Sequence, residues 1–371
     1  MADYRPPLRD IDFVLDHVAD LSGLCELPVY SHLDPDTVKG VLEENARFVA
    51  DVIAPLNRVG DIETSVFDPA TNTVRTPTGF ADAYGQYVAA GWGGVPFPED
   101  YDGGGFPWLV GIAMQEFISS ANMAFSMAPL LTQGAIDLLM HHGSEEQKET
   151  FLTRMVTGEW TGTMNLTEPQ AGSDVGAVRT KAVPADDGTW RITGTKIYIS
   201  FGEHDMAENI VHLVLARTPD APPGTKGISC FIVPKFLVNE DGTLGARNDV
   251  KVVSIEHKMG IKASPTCVMS YGEEGGAIGY LIGEANAGMR IRIAGHTDER
   301  GSDEYNLALG QRRAAAAKRY LIAQGIDEAR IDVVSFGEER PMVEGSDESA
   351  WSQNRRDEFE IVVGGDAIRV P

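Results

Sequence analysis

Hydrophobic and polar positions in the first part of the chain follow the spacing of helices. Between Asp36 and Leu56, apolar residues recur every three or four positions, which is the pattern of an amphipathic helix. The same pattern predicts helical stretches over residues 11–18, about 107–121 and about 127–142. Ser144 and Gln147 have the spacing of a capping box, which predicts the start of a further helix. We therefore predict an all-α N-terminal domain over residues 1–158.

The pattern changes to alternation at Glu159. Segments with a two-residue period and many β-branched side chains are separated by turn residues. The predicted strands are residues 160–166, 176–183, 189–200, 209–217, 227–233, 250–256 and 266–271. Asp187-Gly188 and Asp241-Gly242 are typical of hairpin turns. Residues 159–289 are therefore predicted to form a β-barrel or β-sandwich as the middle domain.

Strands and helices alternate after Met289. Residues 290–294 read as a strand, and Asp303 begins a helix that Gly325 is expected to end. The remaining predicted elements are a strand at 331–336, a helix at 348–355 and a strand at 359–363. This order predicts an α/β sandwich over residues 290–371. The chain is thus expected to be multidomain, although no Gly/Ser-rich linker separates the last two patterns.

Charge and cysteine content narrow the classes of function. The formal net charge is −24, and most of it falls on residues 1–289, so nucleic acid and anionic membranes are poor partners. Cys25, Cys230 and Cys267 are too widely spaced for a metal or redox motif, which favours reduced thiols. The N-terminus has no signal-peptide pattern and no long apolar run follows. We therefore expect a cytoplasmic protein without a membrane span.

The histidines do not predict a metal site or a catalytic triad. His141 and His142 are adjacent at the end of a predicted helix, where capping is the simpler interpretation. His204, His212 and His257 lie on or near predicted strands without the spacing of metal ligands. No metal is expected, and no catalytic residue is assigned from these positions.

Small and hydroxyl residues are concentrated after the first predicted strand of the middle domain. Thr167 precedes Glu168-Pro169, and Ala171-Gly172-Ser173-Asp174 follows. Small residues and backbone N–H groups let an anionic pyrophosphate or a planar ring system approach closely. Further along, Tyr198 and Ser200 add an aromatic ring and a hydroxyl. A plain turn also fits the loop, and a core aromatic also fits Tyr198.

Several motifs in order resemble the acyl-CoA dehydrogenase family. They are Thr-Glu-Pro-x-Ala-Gly-Ser-Asp at 167–174, Gly-Thr-Lys-Ile-Tyr-Ile-Ser at 194–200 and Gly-Glu-x-x-x-Gly-Met at 283–289. The stretch 253–267 is similar to the longer branch of the family, which includes methylthiopropionyl-CoA dehydrogenases. The resemblance implies FAD as cofactor and an acyl-CoA substrate oxidised between Cα and Cβ.

The resemblance also implies which residues would contact the cofactor. Leu166 and Thr167 would lie against the flavin ring, Gly172 and Ser173 near the pyrophosphate, and Tyr198 and Ser200 beside the ring.

The chain departs from this family after Met289. The family continues with a helical domain that supplies the catalytic glutamate, completes the FAD site and forms the main oligomer interface. The following sequence here is not similar to such a bundle, so the catalytic base and the oligomeric state stay unassigned. Removal of the α-proton needs a positioned base, and FAD would lose buried contacts. The resemblance therefore implies an impaired enzyme.

The last part of the chain resembles the OmpA-like family of peptidoglycan-binding domains. The motifs are Gly-His-Thr-Asp at 295–298, Asn-x-x-Leu-x-x-x-Arg-Ala at 306–314 and Asn-Arg-Arg at 354–356. The resemblance implies that Asp298 binds the ammonium and Arg313 the carboxylate of a diaminopimelate group, since a zwitterion needs opposed charges. A simple Asp298–Arg313 ion pair is the alternative. The family's first strand and helix have no counterpart upstream, so a truncated domain is expected.

Three hypotheses follow for the whole chain. The first is a flavin-dependent acyl-CoA dehydrogenase with impaired activity. The second is a peptidoglycan-binding module on a helical and β carrier. The third is a non-functional fusion of two truncated domains. The acyl-CoA specificity is not encoded in the motifs that the sequence retains.

Overall fold

A computed structural model describes residues 4–286, 289–323 and 331–363, and describes side chains throughout these ranges except at 289–291 and 360–363. The chain divides into two compact units. The first comprises Met1–Pro219 and Phe231–Ile282, and the second comprises Asp220–Cys230 and Gly283–Pro371. The boundaries 1–158, 159–289 and 290–371 stay a prediction.

Helices fill the first half of the first unit, as predicted. They are α1 (Leu8–His17), α2 (Leu21–Cys25), α3 (Pro35–Phe48), α4 (Leu56–Glu63), α5 (Phe80–Ala89), α6 (Trp108–Ala121), α7 (Met123–His142) and α8 (Glu145–Val156). The capping box at the start of α8 is confirmed, because Ser144 Oγ accepts from Gln147 N and Gln147 Oε1 accepts from Ser144 N. Beyond α3 the helix widens into a π-helical turn at Val49–Ile53.

One hairpin interrupts the region that was expected to be all-helical. Strands β1 (Val66–Asp68) and β2 (Thr73–Arg75) pair antiparallel. Asp68 closes the turn by accepting from Ala70 N and from Thr71 Oγ1. Val74 is buried and belongs to the core of the β-structure. Three-residue strands are too short to show a periodicity, which explains why the hydrophobic pattern did not predict them.

The helices bury aliphatic and aromatic side chains in one core. Tyr84 and Tyr87 stack there with ring centroids 5.8 Å apart, and Tyr84 Oη donates to Gly158 O at 2.9 Å. This bond fixes the end of α8 where the β-structure begins. Helix α7 has the length and mean hydropathy of a membrane-spanning helix, and half of that stretch is buried within this unit. Burial of this kind is typical of the core helix of a globular domain.

A mixed sheet forms the second half of the first unit. Its strands are β3 (Trp160–Asn165), β4 (Lys181–Pro184), β5 (Trp190–Ser200), β6 (Asn209–Ala216), β7 (Ser229–Pro234), β10 (Val250–Ile255), β11 (Thr266–Tyr271) and β12 (Ala277–Ile282). The order is β10-β11-β5-β12-β7-β6-β3, and β4 pairs with β5. Strand β3 runs parallel to β6, whereas β5 is antiparallel to β4, β11 and β12. Strands β3 and β5 therefore belong to the same sheet.

A small separate ladder joins β8 (Phe236–Val238) to β9 (Leu244–Arg247). The sequence predicted the turn between them but not the strands. Asp241 accepts from the N–H and the hydroxyl of Thr243, which closes this turn.

Strand and helix alternate in the second unit, as predicted. The elements are β13 (Met289–His296), α9 (Asp303–Ala323), β14 (Ile331–Gly337), α10 (Glu348–Asn354) and β15 (Asp357–Val363). Strand β13 is central, parallel to β14 and antiparallel to β15. Helix α9 packs closely on it, because a Cβ on Gly295 would lie 2.0 Å from Gly310 O. Gly325, expected to end α9, lies outside the described residues.

Candidate functional site

The loop after β3 is bonded to strand β5. Leu166 and Thr167 follow β3 directly and are half-buried. Thr167 O accepts the backbone N–H of Ile197 at 2.9 Å. Within β3, just before the loop, Thr163 Oγ1 donates to Ser200 O at 2.8 Å. Four of the residues that the sequence nominated, Leu166, Thr167, Tyr198 and Ser200, are thereby brought together.

Tyr198 sits in a break of the β5 ladder. The pairing between β5 and β11 shifts between Lys196 and Ile199, so two residues of β5 face one of β11. Tyr198 has a φ of +61°, which is a left-handed backbone conformation that side chains rarely adopt. Its side chain is 60% exposed. The alternative of a buried core aromatic is therefore wrong, and the ring is available for stacking.

Gly172 and Ser173 lie on the exposed part of the loop between β3 and β4. A Cβ built on Gly172 would meet nothing within 4 Å, so the space above this position is open. The loop can accommodate an external group there without moving protein atoms. The expected role of these two residues beside a pyrophosphate stays a prediction.

A buried ion pair lies under this loop, and the sequence interpretation did not assign it a role. Lys196 Nζ donates to Glu168 Oε1 at 2.8 Å and to Leu166 O at 3.1 Å. The side chains of Lys196 and Glu168 are 0% and 3% exposed. Burial opposes ionisation of Glu168, but the Lys196 charge and the hydrogen bonds from Lys196, Thr180 and Arg179 outweigh it and lower its pKa to about 2. Both residues stand inside the quoted motifs, which was the available signal.

A second buried polar cluster supports the end of β3. Tyr271 Oη donates to Asn165 Oδ1 at 2.6 Å and lies 3.2 Å from His212 Nδ1. Burial, followed by the nearby Lys235 charge, lowers the pKa of both His212 and His204 to about 3. These histidines are neutral core residues at physiological pH. Among the described residues, no three His, Cys, Asp or Glu side chains are grouped to hold a metal ion.

In the second unit, Asp298 forms hydrogen bonds with Arg300 and Arg355 and not with Arg313. Its carboxylate accepts from Arg300 Nη2 at 2.7 Å and from Arg355 Nη1 at 2.8 Å. The hydrogen bonds from Arg300 and then Arg355 hold the pKa of Asp298 well below its usual range, against the effect of burial. Arg313 instead donates to His296 O at 2.9 Å. The structure therefore does not show the simple Asp298–Arg313 pair.

Two buried polar atoms at the end of β13 and the start of α9, Thr297 Oγ1 and Asn306 Oδ1, have no hydrogen-bond partner among the described residues. The buried His296 ring precedes Thr297, and its Nε2 lies 3.7 Å from Glu358 Oε2. Burying an unsatisfied polar atom is costly, so such a group is often completed by water or a ligand. Asn306 and Arg313 both lie on α9, and His296 ends β13. The end of β13 and the first turns of α9 thus form a polar site.

Comparison with protein families assigns these regions. Residues 36–159 match the N-terminal domain and residues 163–272 the middle domain of acyl-CoA dehydrogenases. Residues 278–355 match the OmpA family. The chain therefore contains the N-terminal and middle domains of the acyl-CoA dehydrogenase family, followed by a domain of the OmpA family. The sequence after the middle domain is thus OmpA-family sequence, beginning before residue 290.

Relatives in both families share high identity with the corresponding parts. 3-Methylmercaptopropionyl-CoA dehydrogenase of Ruegeria pomeroyi is 48% identical over 316 residues, which are 85% of this chain and 52% of the relative. Peptidoglycan-associated lipoprotein of Pseudomonas aeruginosa is 55% identical over 73 residues, which are 20% of this chain and 44% of the relative. The chain thus spans about half the length of its curated relatives.

Solved structures share the fold of the dehydrogenase part. Butyryl-CoA dehydrogenase of Megasphaera elsdenii aligns with a TM-score of 0.53 at 25% identity, over 68% of this chain and 60% of that one. An acyl-CoA dehydrogenase of Bacillus anthracis, solved in complex with FAD, aligns with a TM-score of 0.53 at 23% identity, over 71% of this chain and 41% of that one.

Proposed function

We propose that the chain binds FAD and is an acyl-CoA dehydrogenase-type oxidoreductase with impaired activity. One observation supports it above the others. Tyr198 is an exposed aromatic held at a left-handed φ in a β-bulge, beside the Leu166–Thr167 loop. Such strain persists where a functional arrangement requires it. The dehydrogenase domains and the FAD complex of a structural relative supply the identity of the ligand.

The residues present fit the isoalloxazine ring and the pyrophosphate. The Tyr198 ring would cover one face of the flavin, and Leu166, Thr167 and Ser200 would border it. Gly172 and Ser173 would offer small, exposed loop positions for the pyrophosphate. FAD, when bound, would accept a hydride from Cβ of an acyl-CoA thioester. The chain's own residues would hold the ring and exclude water from one of its faces.

The proposed impairment rests on the catalytic base, a role to which no described residue has been assigned. Glu168 is a buried carboxylate of the flavin loop, but it is committed to Lys196 and its pKa is about 2. A carboxylate this acidic is a weak acceptor for an α-proton at neutral pH. The sequence after the middle domain is of the OmpA family, so the third dehydrogenase domain does not follow there. FAD affinity is proposed to be lower as well, because fewer contacts enclose the cofactor.

Dialysis of the purified chain against FAD, followed by anaerobic addition of an acyl-CoA, tests this proposal. Retained visible flavin absorbance that bleaches only very slowly is the expected result. Rapid bleaching would show that a base is present and would overturn the impairment. Absence of retained flavin would overturn FAD binding and favour a non-functional fusion.

We propose peptidoglycan binding as a second function, located in the second unit. The supporting observation is the polar site at the end of β13 and the start of α9. It comprises Asp298, Arg313 and two buried atoms, Thr297 Oγ1 and Asn306 Oδ1, that have no hydrogen-bond partner among the described residues. A zwitterionic diaminopimelate group matches this combination of charges. Retention on purified cell wall that is lost in both Asp298→Ala and Arg313→Ala would support it, and retention unchanged by either would overturn it. Cytoplasmic residence stays a proposal that cell fractionation would test.

A further inference from the structure

Two opposite charges are buried without water access in the dehydrogenase part. The Lys196 side chain is 0% exposed and that of Glu168 is 3% exposed. Burying an ion pair costs desolvation free energy that its Coulomb attraction often fails to recover, so such a pair is weak support for stability. The backbone groups that the two side chains bind therefore indicate their role better than global stability does.

Glu168 closes the base of the loop between β3 and β4. Its carboxylate accepts from the backbone N–H of Arg179 at 2.7 Å and of Thr180 at 3.0 Å. The exposed positions Gly172 and Ser173 lie between the two anchored ends. One carboxylate thus joins the start and the end of the loop that we assign to the pyrophosphate.

Lys196 connects this loop to strand β5. It belongs to β5, two residues before Tyr198, and donates both to Glu168 and to the carbonyl of Leu166. The next residue, Ile197, donates its N–H to Thr167 O. These three bonds run from β5 to the part of the loop that would face the flavin.

These bonds act where the regular sheet contact is interrupted. The ladder between β5 and β11 shifts between Lys196 and Ile199, which leaves Tyr198 inside the bulge. The strained φ of Tyr198 has to be maintained by its surroundings, since the left-handed conformation is unfavourable by itself. The contacts from Lys196 and Ile197 to the loop lie immediately next to that position.

We propose that Glu168 and Lys196 are positioning residues, whose ion pair sets the distance between the Leu166–Thr167 loop and the Tyr198 ring. They act through Leu166, Thr167 and Tyr198 rather than by touching the cofactor. This inference rests on the proposed FAD binding. Misplacement of a binding group by about 1 Å is enough to weaken a preorganised site strongly.

The test compares Lys196→Met, Glu168→Gln and the double variant with Lys251→Met. Lys251 belongs to β10 and pairs with Glu274 at the surface, so it controls for the loss of an ion pair in the same sheet. Two readouts are needed. Amide hydrogen exchange of the cofactor-free protein follows Ile197, Arg179 and Thr180, with Val211 on the buried strand β6 as reference. Flavin fluorescence gives the Kd for FAD and the flavin spectrum.

Each single variant is expected to speed exchange at Ile197, Arg179 and Thr180 by about tenfold or more beyond any change at Val211, which follows global stability. The Kd for FAD should rise by about tenfold or more, with a shifted flavin spectrum. The double variant restores charge balance but not the bonds, so it should stay defective in both readouts. Lys251→Met should match the wild type.

The inference is overturned if the double variant regains wild-type FAD affinity, because charge neutrality alone would then suffice. It is also overturned if exchange at Ile197 is unchanged in both single variants. Failure of the wild type to bind FAD would instead overturn the proposed function, and the exchange data would still decide the coupling. If Glu168→Gln does not fold, Glu168→Asp keeps the charge while shortening its reach, and the same loop amides should exchange faster.

Discussion

The backbone N–H of Ile197 donates to the carbonyl oxygen of Thr167 at 2.9 Å. This bond joins strand β5 to the loop after β3, although the two residues are far apart in sequence. Tyr198 follows Ile197 directly, so the aromatic ring that we assign to the flavin is fixed relative to Thr167.

Replacing Tyr198 separates backbone strain from cofactor binding. Tyr198→Gly should raise the unfolding free energy of the cofactor-free protein by about 1 kcal/mol, because glycine adopts a φ of +61° without steric cost. The same variant should lose FAD affinity, because the stacking ring is gone. Urea denaturation and flavin titration measure the two effects.

Tyr198→Ala is the matched control, since it removes the ring but keeps a Cβ at the strained position. It should bind FAD as weakly as Tyr198→Gly and gain no stability. Tyr198→Trp should retain FAD. Equal FAD affinity in the wild type and Tyr198→Ala would contradict a stacking role for the ring.

Acidification should weaken the fold through Glu168. The folded pKa of about 2 lies below the usual 4.5, so the stabilising contribution is complete above pH 4.5 and is lost as the pH falls from 4.5 towards 2. Its size is about 3 kcal/mol. Glu168→Gln should be less stable than the wild type at neutral pH by a similar amount, and the difference should shrink across that acidic range.

Unfolding free energies of both proteins, measured by denaturant titration at a series of acidic pH values, check this prediction. Glu43→Gln, at an exposed position of α3, is a suitable control, because it removes a carboxylate far along the chain from the Glu168 loop. A constant difference between wild type and Glu168→Gln at all pH values would contradict the assignment of the shift to Glu168.

Arg313 should be needed for cell-wall binding in a way that its neighbour is not. Arg313→Lys should reduce retention on purified peptidoglycan by about tenfold, because an ammonium does not reproduce bidentate carboxylate recognition. Arg312→Lys is the control, since Arg312 lies over the exposed Tyr305 ring at 5.9 Å. A cosedimentation assay at fixed salt measures both, and equal losses would contradict a specific role for the Arg313 guanidinium.

The pKa of Asp298 predicts how this binding depends on pH. Because that pKa lies well below its usual range, the carboxylate stays ionised in mildly acidic buffer. Retention should therefore hold on mild acidification, as far as it depends on Asp298. A drop centred near the pKa of an ordinary aspartate would show that the bonds from Arg300 and Arg355 do not persist in solution.

The three cysteines should be unreactive in the folded protein. Cys25, Cys230 and Cys267 are buried as thiols. Burial is the main cause that raises the pKa of Cys267 to about 12, so little thiolate forms at neutral pH. A thiol reagent should label the native protein slowly and the denatured protein at all three positions. Fast labelling of native Cys267 would contradict its burial.

The sequence predicted most of the long elements closely because their periodicity is regular. The strand predicted at 176–183 was wrong in its first half, since a 3-10 turn occupies Val175–Ala177 and β4 begins at Lys181. Strand β11 was predicted at 266–271, where the structure has it, and α9 began at Asp303 as expected. The hairpin β1–β2 and the ladder β8–β9 were missed, since strands of three or four residues contain too few positions for a period. Motif resemblance named both families, which the family matches confirm.

The arrangement of the candidate sites was only partly predictable. The sequence nominated Tyr198, but the bulge and the left-handed φ depend on pairing with β11, which is distant in the chain. Glu168 and Lys196 were quoted in the motifs, yet their pairing arises only when the loop after β3 folds against β5. Likewise, the partners of Asp298 proved to be Arg300 and Arg355 because α10 brings Arg355 to the end of β13.

The most direct test of the account is the stoichiometry of FAD retained by the purified full chain after extensive dialysis, with Tyr198→Ala measured in parallel. We predict that the wild type retains flavin with a visible spectrum altered from that of free FAD, and that the variant retains much less. Flavin lost equally from both proteins would contradict the central claim that this chain keeps a flavin-binding face.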